Sequence, residues 1–84
     1  MRYDVFDNDN FVSVNLFESA ESLGIIAWLE ENAGSSWYSP KPGPKRWKAS
    51  TVPYAANELG LMYELTVQFD RAEDATLFAL KWVR

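Results

Sequence analysis

The 84-residue sequence contains no cysteine and no histidine. Without cysteine there are no disulfides, thiolate nucleophiles or zinc–thiolate centres, and a reducing compartment suits the chain. Without histidine the commonest general base, the commonest metal ligand and the Ser-His-Asp and Cys-His constellations are all missing. Apolar runs are short, nowhere reaching the roughly 18 residues of a membrane-spanning helix, and the opening MRYDVFDNDN has no signal-peptide core. Glycine is sparse and isolated, at 24, 34, 43 and 60, so no phosphate-cradling loop is present.

The oxygen ligands that remain make a poor catalytic or metal set. Glu30–Glu31 and Glu73–Asp74 are adjacent pairs on expected helices, where neighbours point about 100° apart and face water. The cluster DNDN, Asp7 to Asn10, lacks the central glycine and downstream glutamate of a calcium loop and reads as a turn. The expectation is a soluble, cytoplasmic, non-enzymatic protein with no catalytic residue, metal, cofactor or membrane partner.

What is abundant is apolar and aromatic surface. The composition is 48% hydrophobic, with four tryptophans, four tyrosines and five phenylalanines, which suits a folded globule. A chain this short buries only about 60–65% of its unfolded surface, so large rings are an effective way to build a thin core. One domain, 1–84, is expected. The net charge is −4, but it is unevenly spread. Residues 32–57 carry four cations and no acid, while the remainder carries four cations and twelve acids. Such polarity can steer a partner without naming it.

Periodicity orders the chain as β-β-α-β-β-α. Arg2–Phe6 is a first strand candidate, and FVSVNLF follows the DNDN turn with Val12, Val14 and Leu16 alternating against Ser13 and Asn15, so the two are expected to pair as a hairpin. ESAESLGIIAWLEENAG reads as a helix capped by Ser19, with Ile25, Ile26, Leu29 and Ala33 on one side and Gly34 at the left-handed exit. Trp28 sits on the flank of that stripe, either packed against a neighbouring loop or available to a partner. SSWYS is a short strand, RWKASTV another that Pro53 ends, and the chain then turns through Asn57 and Gly60. LMYELTVQFD alternates most clearly, with Leu61, Tyr63, Leu65, Val67 and Phe69 on one face. Asp70 and Glu73 form a capping-box-like start to a second helix, whose last residues, 80–84, read equally as helix end or strand. The fold class expected is α+β, a small mostly antiparallel sheet of about four strands with two helices packed on one face; a ferredoxin-like arrangement is one form of it.

The stretch WYSPKPGPKRWKAS, Trp37 to Ser50, holds half the cations, three of the four prolines and two of the four tryptophans. Trp37, Tyr38, Lys41, Lys45, Arg46, Trp47 and Lys48 combine charge with stacking surface, and Trp, Tyr and Arg are enriched at binding hot spots. Proline stiffening reduces the entropy lost on binding. Protein recognition is the first expectation here; single-stranded nucleic-acid binding uses a similar mixture and is the alternative. The bland reading makes the segment a solvated hairpin tip with its indoles in the sheet. A second candidate interface is the acidic set Asp4, Asp7, Asp9, Glu18 and Glu21, with Trp28 nearby. Homo-oligomer formation through exposed strand edges or Trp28 is a further option.

The C-terminal run FDRAEDATLFALKW, Phe69 to Trp82, with its acidic cap, Asp74-Ala75, Phe78, Leu80 and Trp82, resembles the ending of short uncharacterised proteins of tailed bacteriophages. It covers about fourteen residues and carries no catalytic group. The resemblance implies a context: a small protein in the bacterial host cytoplasm that binds and modulates, or inhibits, a host or defence protein.

Overall fold

The computed structural model describes residues 5–16, 21–57 and 60–83, and of residues 54–57, 60 and 61 the backbone alone. Four strands and two helices follow in the order β1 (Phe11–Leu16), α1 (Glu21–Asn32), β2 (Ser35–Ser36), β3 (Lys45–Asn57), β4 (Gly60–Phe69) and α2 (Ala72–Trp82). The strands form one sheet in the order β1-β4-β3-β2. β4 pairs antiparallel with both β1 and β3, while the two-residue β2 runs parallel to β3. The fold is therefore α+β with a mixed four-stranded sheet, and its element order differs from the β-α-β-β-α-β of a ferredoxin-like chain.

Alternation on β4 sets the two faces. Leu65, Val67 and Phe69 point into the core with Leu16, Trp47, Ile25, Leu29, Ala33 and Phe78. Across the register, Val12 and Val14 of β1 and Trp47 and Ala49 of β3 share that face, opposite Val67, Leu65, Phe69 and Val67 respectively. Both helices cover it: α1 through Ile25 and Leu29, α2 through Phe78, whose ring lies 5.4 Å from Phe69 and 6.0 Å from Trp28. Trp28 thus packs on the second helix rather than on a loop.

Among the described residues the N-terminal hairpin expected from the sequence is not formed. Arg2–Asp4 lie outside the described residues, and Val5–Asn8 are bends rather than strand. β1 instead takes β4 as its partner, from Phe11↔Gln68 to Leu16↔Tyr63. The DNDN segment keeps its turn chemistry: Asp7 has φ 54°, and Asn8 Oδ1 accepts from the Asn10 amide at 2.9 Å. Val5–Asn10 then crosses the outer face of the sheet. Val5 N–H donates to Gln68 Oε1 at 2.8 Å, Gln68 Nε2 donates to the Asn8 carbonyl at 3.2 Å, and Asn8 Nδ2 reaches the Phe69 carbonyl at 3.0 Å. A longer, two-sided partner outcompetes a short strand held by one turn, because β4 offers alternating apolar residues over its whole length.

Pro53 does not end its strand. β3 runs on to Asn57, with a register shift between Pro53 and Ala55. Asp70 N–H donates to the Arg46 carbonyl, which places the β4-facing backbone groups of β3 on even-numbered residues up to Val52. The ring nitrogen of Pro53 therefore faces away from β4, beyond the end of β2, where no ladder hydrogen bond is required.

The start of α2 differs from expectation, whereas the residues on which the start expected for α1 rests are not described. Ser19 and Glu18 lie outside the described residues. On α2 the N-cap is Arg71 without a side-chain cap, because Asp70 is still tied to β3 through its amide. The C-terminal ambiguity resolves as helix to Trp82, after which Val83 is extended. Among the described residues no helix is long and apolar enough to cross a membrane.

Candidate functional site

The segment between α1 and β3 is built from its exit glycine outward. Gly34 has φ 86°, and a Cβ there would sit 2.9 Å from Arg46 Cγ, so both backbone and space require glycine. Trp47 Nε1 donates to the Gly34 carbonyl at 2.9 Å, which fastens the end of α1 to β3. Trp37 N–H donates to the Trp47 carbonyl at 2.6 Å, closing the short parallel bridge of β2 on β3.

From there the loop is braced by its own polar groups. Ser39 N–H donates to the Ser36 carbonyl, Tyr38 N–H to Ser36 Oγ, and Lys41 N–H to Ser39 Oγ. Lys45 reaches back across the turn and donates through Nζ to the Ser39 carbonyl at 2.5 Å and the Lys41 carbonyl at 2.9 Å. Gly43, at φ 122°, supplies the reversal between Pro42 and Pro44. Because β2 and β3 are parallel, the segment is a crossover and not a hairpin tip.

This construction sorts the expected contact residues into two groups. Trp37 is 43% exposed and Tyr38 67% exposed, and Lys41 stands beside them at the surface. Trp47, expected on the same surface, is 2% exposed and belongs to the core, since strand alternation puts it opposite Phe69. Lys48, on the other face, is 8% exposed; its Nζ lies 5.8 Å from the Tyr38 ring centre, a cation–π arrangement. Lys45 and Arg46 are half-buried, the first engaged with loop carbonyls and the second under Gly34.

The outward side of the loop forms one wall of an open groove of about 510 Å³. Tyr38, Pro40 and Lys41 line it together with Ser35, Ser36 and Glu30 of α1. Trp37 turns the other way and meets Phe6 edge-to-face, with ring centres 6.0 Å apart and planes at 87°. The N-terminal crossing segment thus supports the loop from behind.

Of the acidic set, the three described members are not gathered. Asp7 and Asp9 are exposed on the segment crossing the outer sheet face, whereas Glu21 begins a helix on the core side. Asp4 and Glu18 lie outside the described residues, and Trp28 is half-buried against Phe78. Among the described residues no three carboxylates converge as metal ligands.

Two contributors escaped sequence reasoning. Gln68 lies on the polar side of an alternating strand yet is 1% exposed, and Phe6 is the ring that backs Trp37. The available signal was the pair of phenylalanines flanking DNDN, since an isolated ring beside a polar turn must find cover somewhere. No family model matches the chain, and no curated protein or solved structure was found to be similar to it.

Proposed function

We propose that the chain is a non-enzymatic protein-binding module that acts by covering a partner's surface, with the 37–41 loop as its contact. In the phage context that the C-terminal resemblance implies, the partner is a host or defence protein that the module modulates or inhibits. The observation that carries this reading is the presentation of Trp37 and Tyr38 at the surface beside Pro40 and Lys41, on a loop held by Lys45 and two serine-centred turns. Exposed aromatics on a pre-ordered loop bury large area at little entropic cost, which is the signature of a hot spot. Nucleic-acid binding has less support, since Lys45 is engaged with carbonyls and Lys48 is buried.

The test is affinity capture from the native lysate, with and without nuclease, followed by titration of the captured protein. Tyr38→Ala combined with Lys41→Ala is expected to weaken binding by on the order of tenfold or more at an unchanged melting temperature. Unchanged affinity removes the loop from the interface. Capture that disappears with nuclease transfers the assignment to nucleic acid.

A further inference from the structure

The two edges of the sheet are finished very differently. On the β2–β3 side the edge strand is two residues long, three prolines and two lysines follow it, and Pro53 interrupts the remainder of β3. These are the usual defences against unwanted strand pairing. β1, at the opposite edge, is six residues of regular strand, FVSVNL, with no charge, proline, glycine or bulge. An edge of that kind is a template for another strand.

Its outward backbone groups can be assigned. Phe69 N–H donates to the Asn10 carbonyl, and Phe11 N–H turns away from β4 to the Asp9 carbonyl. In an antiparallel ladder the bonded pairs then fall on Val12↔Val67, Val14↔Leu65 and Leu16↔Tyr63. The amides and carbonyls of Ser13 and Asn15 therefore point outward from the sheet. Both residues are exposed, and among the described residues no strand pairs with them on that side. Beside them lies Trp82, which lines two clefts together with Val14 and Asn15. Its Nε1–H is buried without an acceptor among the described residues. Such a group is costly unless something supplies a carbonyl.

We propose that this edge pairs with the same edge of a second copy, joining two sheets into one of eight strands by antiparallel β1–β1 contact. The strand is self-complementary about Val14. Antiparallel pairing centred there sets Val12 against the partner copy's Leu16, and Ser13 against its Asn15. Apolar positions then meet on the core side and hydroxyl meets amide on the outer side, with no charge opposed. A two-fold contact of one patch with itself is the commonest route to a dimer. This surface is the opposite edge from the 37–41 loop and is independent of the proposed contact there.

The test uses the full chain alone. Sedimentation from low micromolar to millimolar concentration is expected to show a monomer–dimer equilibrium, and amide exchange by NMR is expected to show Ser13 and Asn15 gaining protection with concentration. Val12 and Val14, already bonded to β4, serve as the internal reference. Asn15→Pro deletes an outward amide without touching the β4 ladder, as Pro53 does on β3; Asn15→Lys adds an edge charge with no backbone change. Each is expected to weaken dimerisation at least about tenfold, and if the proline variant fails to fold by circular dichroism, the lysine variant decides. A monomer at millimolar concentration overturns the proposal. So does a dimer that survives Asn15→Lys, or concentration-independent protection of both amides, which would mean the chain covers its own edge.

Discussion

Gly24 and Gly34 answer to substitution with opposite signs, although one helix carries both the first and the exit marked by the second. Gly24 lies inside α1, and a β-carbon added there would meet nothing within 4 Å. Gly24→Ala is therefore expected to stabilise the fold by about 0.5–1 kcal/mol, by removing backbone freedom from the unfolded chain. Gly34→Ala meets both a left-handed φ of 86° and Arg46 Cγ at 2.9 Å. It is expected to cost about 1–2 kcal/mol. Urea titrations of both variants, compared at a common slope, check the sign of each. The same scale explains the fate of Trp47 and Lys48: adjacent residues on a strand face opposite sides, so one enters the core while the other lies beneath Tyr38.

At the scale of elements, the N-terminal crossing segment is the least regular part and is held by side chains rather than by a ladder. Gln68 is its anchor, accepting from the Val5 amide and donating to Asn8 from within a buried site. Gln68→Ala leaves those groups without partners and is expected to cost about 1–3 kcal/mol. Amide exchange gives the more specific reading. Val5 should lose protection while Val67, bonded within the sheet, keeps it; equal loss at both would mean that Gln68 supports the strand and not the segment. Because Phe6 rests on Trp37, release of this segment also removes the support behind the candidate contact loop.

For the whole molecule, Phe78 links the two layers, touching Phe69 on the sheet and Trp28 on the other helix. A domain of 84 residues has a net stability of roughly 4–13 kcal/mol. Phe78→Ala, at about 3–5 kcal/mol, removes a large share of it. The expected outcome is one cooperative transition at a much lower temperature, with helical and tryptophan signals lost together. Separate transitions would show that the helical layer and the sheet are distinct units. The charge division seen in the sequence persists at this scale: the cationic residues 32–57 run along the β2–β3 side of the sheet, away from β1.

Residue order alone specifies the elements whose signal is local. The period of two in β4, the helical stripe Ile25–Leu29–Ala33 and the need for glycine at position 34 each follow from a repeat or a backbone conformation that neighbouring residues specify. It also located the stiff cationic loop, since proline and lysine content is read directly. The folded chain alone settles which strands pair, because β1 is able to bond to any extended partner of matching alternation and the choice of β4 rests on contacts more than fifty residues away along most of the strand. It likewise decided which rings of the loop face water: alternation makes Trp47 a two-sided choice until Phe69 and Gly34 claim its ring and its indole N–H. Burial of Gln68 and Lys48 depends on segments folding across a face that the pattern marks as polar, and no local period encodes that.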